Sequence, residues 1–165
     1  MTNREFFLQC RSQDVPRFVR VFNAVSADQL DWRPEPKART ARELIGHLIG
    51  HEQDVVELLG SGQIHHRMHV AFDDVAQAVE LYEQTCRDVE TALAAMTDAA
   101  WDDVPAKFWF EGAVIMEMPR RDMGWLMWFD CIHHRGQLST YLRPMGGRVP
   151  GIYGPSADDQ GTLHD

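Results

Sequence analysis

The stretch from Thr40 to Gly62 constrains the fold most, because it carries its own start, period and end. Thr40-Ala41-Arg42-Glu43 has the form of a capping box. In that motif a threonine hydroxyl accepts the third backbone N–H of a helix, and the glutamate reaches back to the threonine N–H. Leu44, Leu48, Val55 and Leu58 then recur at helical spacing and form one apolar stripe. Gly60-Ser61-Gly62 supplies the glycine that lets a helix end in a left-handed residue. Two histidines ride on this helix. His47 and His51 are four apart and share a face. At about 100° per residue, His51 falls in the centre of the stripe and His47 at its edge, so both lean inward.

A buried stripe needs partners, and three other segments offer them. Residues Asn3 to Val25 predict a helical region with Phe18, Val21, Phe22 and Val25 on one face. Pro16 is expected to interrupt it, with Asp14 capping a helix that restarts at Val15. Asp31 to Pro36 reads as an extended connector, since proline disfavours helix at the residue before it. A third helix is expected from about Asp73 to Met96, and a last one from about Arg121 to Arg143. Between them, Phe108 to Met116 predicts a short β-hairpin turning near Gly112, or else an irregular apolar loop. Residues 146–165 are rich in glycine and proline and predict an irregular tail. The expectation is one all-α domain over residues 1–165. It would be a four-helix bundle with a long crossover connection and a small hairpin or irregular insert before the last helix.

Charge narrows the function. A formal net charge of −9 repels phosphate backbones, so nucleic acid is not an expected partner. The nearest basic clusters, Lys37/Arg39/Arg42 and Arg120/Arg121, are short. No apolar run approaches the roughly 20 residues that span a bilayer, so no membrane is expected either. The N-terminus lacks the apolar core of a secretory signal. Cys10, Cys86 and Cys131 are odd in number and far apart, which argues against a disulfide framework. Together these features predict a cytoplasmic protein.

The chemistry-bearing residues concentrate on two helices. On the last helix Trp125, Phe129 and Ile132 mark one apolar face. Met123, Met127, Asp130, His134, Leu138 and Tyr141 mark another, so this helix is expected to be central or to contact a second copy. A carboxylate and an imidazole among apolar neighbours need partners, because unpaired buried charge costs several kcal/mol. A divalent cation shared by His47, Asp130 and His134 would satisfy both. So would a buried polar network, in which Asp130 and His134 pair with each other or with Arg135 or Gln137. His65, His66 and His69 are close in sequence and polar, and are expected in a solvated loop. Cys131 points away from Asp130 and is not expected to act as a nucleophile.

Several motifs resemble the DinB/YfiT-like superfamily. Arg33-Pro34 followed by Thr40 to Leu48 is similar to its second-helix entry. Ile132-His133-His134-Arg135-Gly136-Gln137-Leu138 is similar to its fourth-helix signature, continued by Tyr141 to Gly147. Val149 to Asp158 resembles the tail of one subgroup. The resemblance implies a four-helix bundle with a long crossover between its second and third helices, often a homodimer. It also implies a divalent metal held by one histidine of the second helix and two of the fourth. His47 matches the first ligand and His134 the last, whereas Asp130 stands where the family usually has histidine. His51 and His133 are the substitutes. Zinc, nickel, manganese and iron all suit such a set. Relatives include S-transferases and isomerases that use a low-molecular-weight thiol such as mycothiol, bacillithiol or glutathione.

Two functions follow as expectations. The first is a metal-dependent enzyme, a thiol-using S-transferase or a hydrolase acting on a small molecule, with Tyr141 donating a hydrogen bond to substrate. The second is a non-catalytic dimeric helical protein, stress-associated or ligand-binding, in which Asp130 and His134 form a structural pair. A metal site on His65, His66 and His69 is a third, weaker reading.

Overall fold

Four long helices carry the chain in this computed structural model, which describes residues 1–160. They are α1 (Asn3–Asn23), α2 (Ala41–Ser61), α3 (Val75–Ala95) and, after the short α4 (Asp98–Asp102), α5 (Arg120–Tyr141). Three strands complete the described residues: β1 (Gln63–His65), β2 (Pro105–Phe110) and β3 (Ala113–Pro119). The fold is mostly helical with one small three-stranded sheet. His164 lies outside the described residues.

The cap expected at Thr40 forms in full. Its hydroxyl accepts from the Glu43 N–H, and the Glu43 carboxylate accepts from the Thr40 N–H at 2.7 Å. At the other end Gly62 closes α2 with φ 73°. Burial on α2 goes well beyond the predicted stripe and takes in Gly46, His47, Gly50, His51, Glu52 and Asp54. The reason is position: α2 packs against α3, α5 and β1 at once, while α1 packs against α3 and α5.

Pro16 does not break α1. The helix runs through it from its own capping box, Thr2 with Glu5. Proline removes one backbone hydrogen bond, costing about 3 kcal/mol in a helix interior. Packing on both sides opposes that loss, since Phe7 and Arg11 before it and Phe18, Val21 and Phe22 after it share the buried face. Asp14 is therefore not a cap. It is buried and accepts hydrogen bonds from Arg17 at 2.6 Å, Arg135 at 3.1 Å and the Tyr153 hydroxyl at 2.6 Å.

The hairpin of β2 and β3 turns at Glu111-Gly112, both at positive φ, as a tight two-residue turn requires. A third strand, β1, was not foreseen. It pairs parallel to β2, with Ile64 opposite Phe108, and pins the chain as it leaves α2. The segment after it then runs back across α2, where the Val70 N–H donates to the Gly46 carbonyl at 2.9 Å. Also unforeseen is α4, capped by Thr97, which buries Trp101 completely.

On α5, Met123, Met127, Trp128, Cys131, His134 and Leu138 are buried. The Trp125 side is more open, with Phe129 60% exposed. No helix among the described residues is long and apolar enough to cross a membrane.

Candidate metal centre

His47, His51, Asp130 and His134 converge between α2 and α5. One ligand-type atom from each lies within 4.8 Å of all the others. The two histidines of α2 are each only 3% exposed, and Asp130 is half-buried.

Proton positions follow from the partners. His47 Nδ1 lies 2.8 Å from the Met68 carbonyl. A carbonyl only accepts, so Nδ1 carries the proton and Nε2 is bare. His134 Nδ1 lies 2.7 Å from Gln137 Oε1, which leaves its Nε2 bare as well. That bare nitrogen sits 3.3 Å from Asp130 Oδ2. His51 Nε2 lies 2.9 Å from His47 Nε2 and 3.1 Å from Asp130 Oδ2, and it has one proton to give to one of them. Facing lone pairs repel, so the cluster is short of positive charge. Further protons or a metal cation would fill the gap. The donor set of imidazole nitrogens and a carboxylate suits a divalent transition ion. Metal-bound histidines commonly donate their other N–H to an oxygen acceptor, and His47 and His134 both do so. His51 differs: its Nδ1 is buried with no partner among the described residues.

Electrostatics agree with this reading. Burial, the His51 ring and the Arg39 charge push His47 down to about 3, against the single bond to Met68, so it stays neutral and able to ligate. When a proton sits on His134 Nε2, and then on His51 Nε2, and is donated to it, the Asp130 carboxyl is held far below the ordinary carboxylate range. The site thus presents a carboxylate whether protons or a metal ion balance it.

The cluster forms one wall of a cavity of about 580 Å³. Phe108, Ile115, Met116, Leu126 and Phe129 make an apolar side, and Arg39 and His133 also border it. A different hollow of about 620 Å³, between α1 and α5, is lined by Phe6, Trp125 and Phe129 and holds no histidine.

His66 enters the same cavity, contrary to its expected place in a solvated loop. Its Nδ1 donates to Asp54 Oδ2 at 2.8 Å, and Asp54 is fully buried. Its ring packs on Phe108 at 5.2 Å, so the sheet draws it inward. His51, Asp54 and His66 form a second group of metal-ligand type. Asp54 also accepts from Arg67 at 2.7 Å, so its charge is already balanced and the first group fits a cation better. His65 remains outside, bonded to Glu57 at 2.5 Å, and His69 is exposed. Among the described residues, His65, His66 and His69 therefore share no cluster.

His133 is exposed beside the cavity, its ring 5.2 Å from that of His134. Tyr141 packs edge-on against Trp32 at 5.3 Å, and the cavity lining does not include it. Cys131 faces away from the cavity toward Glu52, and burial followed by the Glu52 charge pushes its thiol well up. It is unsuited to act as a nucleophile. Asp54 had a legible signal, since it lies almost directly in line with His47 on the helix, seven residues on. His66 had none, because parallel pairing of β1 with β2 places it.

The DinB superfamily model matches residues 13–138. No curated protein matches this chain. Among solved structures, a DinB-like protein from Bacillus cereus ATCC 10987 is similar at 19% identity and a TM-score of 0.72, over 90% of this chain and 97% of that one. A DinB-like protein from Bacillus subtilis gives 17% identity and a TM-score of 0.68, over 85% and 91%. A mycothiol-dependent maleylpyruvate isomerase gives 12% identity and a TM-score of 0.56, over 89% of this chain and 64% of the isomerase. These likenesses at low identity speak to the fold, and the family model spans most of the sequence: this chain belongs to the DinB superfamily.

Proposed function

We infer that this chain is a metal-dependent enzyme acting on a small molecule, either a thiol-dependent S-transferase or a hydrolase. His47, Asp130 and His134 would hold a divalent ion, with His51 as a further donor. The observation that carries this reading is the proton shortage: two bare imidazole nitrogens and a carboxylate face one another with one proton to share. An ion there would act as a Lewis acid and lower the pKa of a thiol or water. The Met68 carbonyl and Gln137 fix the two ring orientations. His66, oriented by Asp54, has a bare Nε2 able to accept a proton. The apolar side of the cavity limits water. The fold shared with a mycothiol-dependent isomerase supports a low-molecular-weight thiol as co-substrate.

The frame of this reading is a four-helix bundle of α1, α2, α3 and α5, with the α2–α3 connection as its long crossover. A homodimer would cover the exposed Phe129 side of α5, and sedimentation of wild type beside Phe129→Ser tests that.

The test of function is metal content of protein purified without a histidine tag. Near-stoichiometric zinc, nickel, manganese or iron is expected, lost in His134→Ala. Substoichiometric metal in wild type sinks the reading. One observation favours the non-catalytic alternative: Asp130 already reaches both His51 and His134. In that case a chelator leaves the melting temperature unchanged.

A further inference from the structure

We propose that Arg39 and Lys37 form an anion subsite at the mouth of the histidine cavity, so that the ligand of this site carries a carboxylate beside its apolar part. The inference rests on the proposed metal-dependent reading only for the ligand's other end.

The other basic residues nearby, and those of the second basic cluster at the start of α5, are spoken for. Arg42 pairs with Asp31 at 2.9 Å and donates to the Phe72 carbonyl at 3.1 Å. Arg120 donates to the Ala100 carbonyl, and Arg121 pairs with Asp102 and Asp122. Arg33 leans on Glu43 at 3.9 Å. Lys37 and Arg39, in contrast, have no hydrogen-bond or ion-pair partner among the described residues. Acids outnumber basic residues by 25 to 16 in this chain, so carboxylate partners are abundant. A half-buried guanidinium left unpaired in such a protein is open to an anion from outside the chain.

Its location says what. Arg39 borders the histidine cavity and also an adjoining hollow of about 280 Å³ lined by Arg33, Lys37, Glu43 and His69. Glu43 is the one acid there, and it is occupied by the cap of α2 and by Arg33. A ligand lying against Phe108 and Met116 can thus extend toward two free cations. The guanidinium fork matches a carboxylate in two parallel hydrogen bonds, a geometry that neutral groups cannot exploit as well.

The test compares 3-mercaptopropionate with its uncharged counterpart 3-mercapto-1-propanol on the cobalt-loaded protein, read by thiolate-to-cobalt absorption. Wild type should bind the carboxylate roughly tenfold more tightly. Arg39→Gln should bring the two thiols together and leave cobalt content and the affinity for the alcohol unchanged. Lys37→Gln should remove part of the preference. A metal-free arm keeps the two readings separate: in chelator-stripped protein, propionate should shift the Arg39 side-chain NMR signal and 1-propanol should not. If cobalt is not retained, the metal reading fails while this arm still decides the subsite. Equal affinity for both thiols in wild type, a preference surviving in the Arg39→Gln/Lys37→Gln double variant, or an Arg39 signal indifferent to propionate in stripped protein overturns the proposal.

Discussion

At His47, burial, the neighbouring His51 and the Arg39 charge all oppose protonation and bring its pKa from 6.5 down to about 3. The unfolded chain therefore takes up this proton at higher pH than the folded one does. The contribution of His47 to stability is complete above about 6.5 and is lost as pH falls toward about 3. Urea midpoints of metal-stripped protein should fall steadily between pH 7 and pH 4, and His47→Gln should flatten that slope. Asp130 acts with the same sign, but below its ordinary value of 3.8, so the two residues separate by window. An unchanged slope in His47→Gln would remove His47 from this account. His47 and His134 were legible because spacing alone puts each on an inward face. The partners that set their tautomers, the Met68 carbonyl and Gln137, were not: one is a backbone atom of a loop, and the other depends on a rotamer. In the sequence Arg39 stands out only as part of a basic cluster, because no spacing rule says which cations of a cluster will find acids.

At the scale of elements, two glycines of α2 mark where the site is assembled. A Cβ at Gly46 would lie 2.5 Å from the Val70 carbonyl oxygen, and one at Gly50 would lie 2.9 Å from that of Arg67. Glycine in a helix interior costs about 1 kcal/mol against alanine, yet α2 keeps both. Their bare surface lets the segment after β1 lie against the helix, delivering Met68 to His47 and His66 to the cavity. Gly46→Ala should therefore lift that segment and weaken metal affinity by about tenfold or more, as loss of a ligand's supporting hydrogen bond does. Isothermal titration of the stripped protein measures it, and unchanged affinity would refute the link. Gly124 serves packing alone: a Cβ there would come within 2.4 Å of the Trp101 ring of α4. Gly124→Ala should cost about 1–3 kcal/mol by overpacking, seen in urea denaturation, with metal content unchanged. The long helices could be read from the sequence because each repeats its apolar period over many turns. Pro16 is misleading because local propensity carries no knowledge of Trp101, Tyr82 and Trp128, the rings from other helices on which Phe7 and Phe18 of α1 pack. β1 is three residues long and has no period to read, and its pairing with Phe108 is a contact between segments distant in sequence.

For the whole molecule, the candidate ligands come from two helices that are remote in sequence and packed together in the fold. His47 and His51 belong to α2, and Asp130 and His134 to α5. An ion bound there would tie the early half of the chain to the late half, and only the folded state assembles the four donors. Binding free energy then appears directly as stability. With free metal at one hundred times its dissociation constant, the gain is about 2.7 kcal/mol. For a protein of this length that corresponds to a melting temperature raised by about 5–10 °C. Chelation should reverse that rise, readdition of the ion should restore it, and His134→Ala should show neither. A structural Asp130–His134 pair predicts the opposite pattern: no response to chelator in wild type, and a lower melting temperature in His134→Ala whether or not metal is present. The same set of thermal scans thus separates an ion that joins two halves of the fold from a polar pair that needs none.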